Sequence, residues 1–271
     1  LSRGDYSWLT KDLNTLYRDY LPRDITKELS LANVSETILV QATDTVAETE
    51  FLFFHAYTHN FISGVVGWVD MEDPKALKQL SWFRENPYFK GIRPMIQDID
   101  DVDWMLKPQL TPVFKFLEKN FLSFDALVLP KHLANLQTLL KRHPKLRVVI
   151  DHGGKPQIFK ALGVDIANSV NKQWAEDIAQ LSKNKNVFCK LSGLVTEAGN
   201  TATYADIEPY MVHLFDCFGA KNLMWGSDWP VVNLTSDYST WFDITSTFLN
   251  KYTKKEQESV WSGTAKDFYR L

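Results

Sequence analysis

The amino-acid sequence predicts one α/β domain over residues 1–271, folded as a (β/α)₈ barrel of the TIM type. Three observations predict it. Short apolar, β-branched runs start at residues 37, 64, 91, 123, 147, 187 and 223, so they fall 24 to 40 residues apart. A strand, a crossover helix and two loops take about 30 residues, which makes this βα repetition. The runs are hydrophobic almost throughout rather than alternating, as in parallel strands covered on both faces. An open doubly wound sheet is the rival architecture, but no GxGxxG phosphate loop follows an early strand.

The elements follow in order. A helix over Ile25–Leu31 precedes every strand-like run, and the runs themselves are Thr37–Gln41, Gly64–Val69, Gly91–Met95, Ser123–Val128, Arg147–Ile150, Val187–Leu191 and Leu223–Gly226. A full barrel has eight strands, so the first strand is expected upstream of Leu1. Helices fill the gaps. Val46–Asn60 starts behind the cap Asp44-Thr45, and Lys75–Glu85 lies between Pro74 and Asn86-Pro87. Leu133–Arg142 stops before Pro144, Trp174–Ser182 before Asn184, and Ile207–Phe218 at Gly219. Trp241–Asn250 and Glu256–Phe268 close the chain. The acidic stretch Asp98–Asp103 reads as a long rim loop, with Trp104 placed to cover a site. No glycine- or serine-rich linker divides the series.

Composition bounds the function. Hydrophobic residues make up 45% of the chain, enough for a large core, and 30 basic against 33 acidic residues leave a net charge of −3. Neither a nucleic-acid tract nor a membrane-surface stripe is expected from that balance. No apolar run approaches the ~20 residues of a membrane helix. Leu1–Asp5 is polar and reads as loop rather than leader. Two cysteines, Cys189 and Cys217, do not make a disulfide framework, so a reducing cytoplasm is the expected compartment.

In a barrel the chemistry sits where strands end, and polar residues there are the candidates. Asp228 ends the last run, on one face with Met224 and Gly226; it can serve as general base or metal ligand, or cap the next loop. His152 shares a face with Val148 and Ile150 and precedes two glycines that allow a ligand close to the backbone. Arg93 offers a planar fork for a carboxylate or developing oxyanion, or forms a salt bridge inside the barrel. Lys190 lies in an apolar strand with Ser192 on the same face and needs a carboxylate partner such as Asp228. Asp125 is similarly placed and could pair with Arg93. Trp8, Trp68, Trp104 and Trp229 fall at rim positions suited to stacking on a sugar ring, whereas Trp82 and Trp174 read as core. His55 and His59 stand four apart on a helix, but no glutamate follows the first, and crossover helices pack far from the rim. His143 sits in a helix's last turn; His132 and His213 read as surface or half-buried.

Six blocks carry a family resemblance: Asp5–Leu9, Val65–Asp70, Gly91–Pro94, Val149–Pro156, Cys189–Gly193 and Trp225–Pro230. Together they resemble the L-fuconolactonase and L-rhamnonolactonase group of the amidohydrolase superfamily, relatives of 2-pyrone-4,6-dicarboxylate lactonase. The resemblance implies hydrolysis of a small sugar-acid lactone, with Asp228 handling the water and His152 near the substrate carbonyl. It places Arg93 and Lys190 in the pocket beside Asp125, with Trp8 and Trp229 around the sugar. Relatives open with a strand ending in His-X-His, which is absent here. A divalent metal, zinc before others, is therefore expected only as held by Asp228 with two histidines upstream of Leu1. Members of the group differ in whether they need one. A decarboxylase or amide hydrolase on the same barrel and a non-catalytic sugar-acid binding protein stay open, as does a homo-oligomer.

Overall fold

The computed structural model describes residues 6–158 and 169–271. All seven apolar runs form strands: β1 (Thr37–Val40), β2 (Ile62–Gly67), β3 (Phe89–Ile92), β4 (Ser123–Ala126), β5 (Arg147–Ile150), β6 (Val187–Leu191) and β7 (Leu223–Trp225). They pair in sequence order as one parallel sheet, with β1 and β7 at its two edges. The sheet curls. Val66 of β2, Val149 of β5, Phe188 of β6 and Met224 of β7 meet in one buried cluster with Ile38 and Val40 of β1. Side chains from both edges can share such a cluster only if the concave faces turn toward each other. The alternate residues of the same strands, among them Val148, Ile150, Cys189 and Leu191, pack outward against the helices in a second and larger cluster. Both strand faces are covered, which explains the unbroken hydrophobic runs.

The helices are α1 (Pro22–Leu31), α2 (Val46–Thr58), α3 (Ala76–Arg84), α4 (Thr111–Asn120), α5 (Leu133–Arg142), α6 (Ser169–Leu181), α7 (Leu194–Ala198), α8 (Tyr204–Asn222), α9 (Tyr238–Leu249), α10 (Lys254–Glu258) and α11 (Thr264–Tyr269). Their starts are chemically marked. Thr45 Oγ1 accepts from the Glu48 amide at 3.1 Å, and Asp237 Oδ1 from that of Thr240 at 2.7 Å. Thr253 and Glu256 cap reciprocally, Thr253 Oγ1 accepting from the Glu256 amide and Glu256 Oε2 from that of Thr253, while at Thr203 the Asp206 carboxylate accepts from both the amide and the hydroxyl.

Several expectations are corrected. The helical break expected at Gly219 is present, with that residue non-helical at φ 60° and ψ 172° and a further short stretch running to Asn222. The last expected helix is interrupted by a π-turn over Ser259–Gly263 between α10 and α11. Helix α4 is an addition to the elements read from the sequence. Its apolar positions Val113, Phe114 and Leu117 face the core with helical spacing, but they follow the acidic segment closely. Trp104 is not a lid: it is buried, with its indole nitrogen donating to Glu72 Oε2 at 2.9 Å. Trp82, expected in the core, is 58% exposed, and His132, expected near the surface, is fully buried. No helix among the described residues is long and apolar enough to cross a membrane.

One contact closes the end of the curled sheet opposite the strand termini. Phe268 and Tyr269 of α11 enter the inner cluster, and Arg147 at the start of β5 donates to the carbonyls of Asp267 and Phe268. The C-terminal helix is thus the floor beneath the site.

Candidate active site

Because all seven strands run the same way, their C-terminal ends lie together, and the residues there are brought into one polar cluster. Strand parity explains most of it. Phe188, Lys190 and Ser192 alternate inward on β6 and just beyond, as do Ser123 and Asp125 on β4 and Val149 and Asp151 at β5. Gly91 and Arg93 follow the same rule at β3. Gly91 is required where it stands, since a Cβ there would lie 2.0 Å from Ser123 Oγ.

The inward groups form a charged column. Lys190 Nζ lies 2.7 Å from Asp125 Oδ2 and 2.6 Å from Asp151 Oδ1. Arg93 reaches Asp151 Oδ2 at 3.1 Å and also donates to the Gln41 carbonyl, while the Gln41 amide donates back to the Arg93 carbonyl. Gln41 therefore clasps Arg93 across the end of β2. Asp125 is further bound by Ser123 Oγ at 2.8 Å and by the Tyr269 hydroxyl at 2.6 Å. Both carboxylates are fully buried. Two cations balance them, which is the condition for burying charge at all.

Titration follows from this packing. Burial alone would raise Asp151, but Lys190, Arg93 and His152 together outweigh it and hold the carboxyl well below the usual range. Burial also opposes the charge on Lys190, and the two aspartates overcome it and push the ammonium upward. Asp125 moves the other way: burial, helped by the nearby Asp151, raises it against the pull of Lys190 and Tyr269.

The two residues that carry the reading of the reaction sit just outside the column. His152 lies in a left-handed backbone conformation (φ 54°, ψ 38°), followed by Gly153 at φ 61°. That turn overrides strand parity. Counting by twos puts His152 with Val148 and Ile150 on the helix side, but the chain has left the strand and swings the ring inward. Its Nδ1 is 2.9 Å from Ser192 Oγ, and Nε2 is 3.7 Å from Asp228 Oδ1. Gly193 (φ +67°) makes room for the ring; a Cβ there would come within 2.8 Å of His152 Cγ. Burial holds the imidazole below its ordinary titration range, although Asp228 and Asp151 favour the cation. Asp228 is also left-handed (φ 55°) and its carbonyl accepts from the Val232 amide at 2.9 Å.

The two aromatic candidates flank this end of the sheet. Trp8 donates its indole N–H to the Ala42 carbonyl at 2.7 Å, just past β1. Trp229, just past β7, meets Tyr20 edge to face at 5.1 Å between ring centres. The motif segment that contains Trp8 begins at Asp5, which lies outside the described residues.

The partners expected for Lys190 and Asp125 are corrected here. Lys190 pairs with Asp125 and Asp151 rather than Asp228, and Asp125 with Lys190 rather than Arg93. Asp151, Gln41, Ser192 and Tyr269 join the site beyond the residues singled out from the sequence. Asp151 was legible, since it shares inward parity with Val149. Gln41 and Tyr269 carry no local signal, because each gains its meaning from a residue 52 or 144 positions away.

A metal finds only part of a site. Asp228 and His152 Nε2 face each other as two donors, and no group of three His, Cys, Asp or Glu that could hold a metal occurs among the described residues. Catalytic zinc takes about three protein ligands. The described residues therefore do not amount to a zinc site.

Comparison with known proteins extends over the whole chain. A family model described as amidohydrolase matches residues 3–271. The chain is 38% identical over 274 residues to the L-fucono-1,5-lactonase of Burkholderia ambifaria, covering all of this chain and 91% of that protein. It is 30% identical to the L-fucono-1,5-lactonase of Burkholderia multivorans, covering 99% of this chain and 92% of that one. A crystal structure of an amidohydrolase from Burkholderia multivorans with bound zinc superposes with a TM-score of 0.91 at 30% identity, covering 99% and 94% of the two chains.

Proposed function

Because the chain belongs to the amidohydrolase family, we propose that it opens the ring ester of an aldono-1,5-lactone of the L-fucono type to the free hydroxy acid. The observation that carries the reading of the site is the His152–Asp228 pair. Its 3.7 Å gap is too long for a direct hydrogen bond and suits a water or substrate oxygen touching both groups.

In this mechanism Asp228 takes a proton from water, whose oxygen attacks the lactone carbonyl carbon. His152, neutral and held through Nδ1 by Ser192, orients the carbonyl with Nε2 and donates to the growing oxyanion. An ammonium has three donors; Lys190 gives one to Asp125 and pairs by charge with Asp151, and in this mechanism a remaining N–H meets the same oxyanion. Arg93 fixes Asp151 and thereby the column, and presents its remaining donors to the substrate. The tetrahedral intermediate then collapses, the bond from carbonyl carbon to ring oxygen breaks, and protonated Asp228 returns its proton to that oxygen. Trp8 and Trp229 offer apolar faces to the sugar ring. Since the column's charges are already matched, substrate selection rests on a neutral lactone rather than an anionic acid.

The test is a pH-indicator assay of lactone opening, with spontaneous hydrolysis subtracted, across L-fucono-, L-rhamnono- and D-configured lactones. Acid release accelerated for the L-fucono ring and lost in Asp228→Asn supports the reading. Turnover equal in wild type and Asp228→Asn removes the proposed base. Zinc quantified in the same sample shows whether the two donors recruit a metal.

A further inference from the structure

The deepest member of the charged column comes from the far end of the chain. α11 packs Phe268 with its ring centre 4.7 Å from that of Phe188, and from this floor Tyr269 extends up inside the curled sheet. Its hydroxyl donates to Asp125 Oδ2 at 2.6 Å, the same oxygen that accepts from Lys190 Nζ at 2.7 Å. The other carboxylate oxygen, Oδ1, is taken by Ser123 Oγ. A plug needs only the bulk of a phenyl ring. A buried hydroxyl costs stability unless it is bonded, and this one is committed to the carboxylate that grips a rim lysine.

We propose that Tyr269 is a positioning residue for Lys190, acting from the barrel floor through Asp125. A carboxylate oxygen has two lone-pair directions. On Oδ2 one is filled by Tyr269, so a single direction remains for Lys190, and the ammonium is set in one orientation with its third N–H toward the rim. Without the hydroxyl both directions are open and Nζ divides its time between them. The charged and titratable groups facing Asp125 are Lys190 from β6, Asp151 from β5 and Tyr269 itself from α11, with Arg93 from β3 beyond Asp151. The inference rests on the reading of Lys190 as an oxyanion donor.

Tyr269→Phe removes the hydroxyl and keeps the plug. We expect kcat for lactone opening to fall about tenfold, as for loss of a hydrogen bond to a charged group, with KM changed less than about twofold. In an Asp125→Asn background the same substitution should add nothing, because the route runs through Asp125. Thr264→Val is the control: Thr264 Oγ1 donates to the Ala220 carbonyl at 2.7 Å, so its loss loosens the same helix without touching the column. That variant should melt earlier yet keep its kcat. A Tyr269→Phe protein that melts earlier with unchanged kcat, or a loss that persists undiminished in Asp125→Asn, overturns the proposal. If wild type opens no lactone, the functional reading falls and the positioning is read directly from the lysine ¹⁵Nζ signal of Lys190. A signal that is sharp in wild type and broadened in Tyr269→Phe supports it; identical signals overturn it.

Discussion

Two groups of ionisable side chains meet at the same end of the sheet and are held in opposite ways. In the column, Arg93, Asp151, Lys190 and Asp125 touch at 3.1 Å or less, two cations against two carboxylates. At the rim, His152 and Asp228 stand 3.7 Å apart, each on left-handed backbone that a non-glycine residue rarely adopts. Charges that are matched hold one another and fix the shape of the site, leaving only the spare donors of Lys190 and Arg93 to meet a substrate. His152 and Asp228, close but without a mutual hydrogen bond, are the pair that an incoming oxygen can touch from the side. The strained backbone fits the same division, since such conformations persist where the surroundings enforce them.

The largest expected effect tests the rim side of that division. Asp228→Asn keeps shape and removes the base, so kcat should fall by about 10²–10⁴-fold, while the melting temperature stays near wild type because no tight pair is broken. His152→Asn should cost less if the ring only orients and donates. Steady-state lactone hydrolysis beside a thermal melt checks both. A rim substitution that chiefly unfolds the protein would erase the distinction.

At the column a substitution should cost stability as well as turnover. Lys190→Met leaves Asp125 buried beside Asp151 with no cation in contact, while Asp151 keeps Arg93. Removing one partner of a buried pair costs about 3–5 kcal/mol, to be read as a lowered urea midpoint at unchanged slope. Gly193→Ala is smaller and links the two regions. The new methyl meets the His152 ring, and the positive φ adds strain of roughly 1–2 kcal/mol. Turnover should drop more than stability, because the ring that moves is the one facing Asp228.

How much of this was legible in the sequence follows the same boundary. Within strands, period-two counting placed Lys190, Asp125 and Arg93 inward, because a pleated strand with covered faces leaves no other choice. It failed two residues past β5, where His152 turns left-handed; Gly153-Gly154 hinted at a turn but not at its hand. Apolar spacing gave seven strands and most helices, yet lost α4, whose pattern is short and preceded by charge. Pairings were beyond reach. Which carboxylate Lys190 meets depends on how far the sheet curls, and no local run of residues encodes curvature. Tyr269 shows this most plainly, since its partner lies 144 residues away.

The smallest expected effect uses a histidine that shares the burial of His152 but not its setting. His55 on α2 is 8% exposed, both ring nitrogens lack a hydrogen-bond partner, and its ring is wedged edge-on between Phe51 and Phe54 at 4.4 and 5.4 Å. Burial, and then the neighbouring His59, push its titration below the ordinary histidine range, with Glu48 opposing weakly. The folded state therefore binds fewer protons than the unfolded chain, so stability rises with pH through this window. The contribution is complete above the unfolded value of about 6.5 and is lost as pH falls toward the depressed folded value. One such group gives a slope below about 1.4 kcal/mol per pH unit. His55→Phe, which fills the same aromatic wedge, should flatten the fall in urea midpoint between neutral and mildly acidic pH. It should not abolish it, because His132 and His152 are depressed in the same direction by burial. Lactone turnover at neutral pH should be unchanged. A large loss of turnover in His55→Phe would mean that burial alone, without an opposed carboxylate, marks a working histidine here, and the contrast between column and rim would have to be drawn differently.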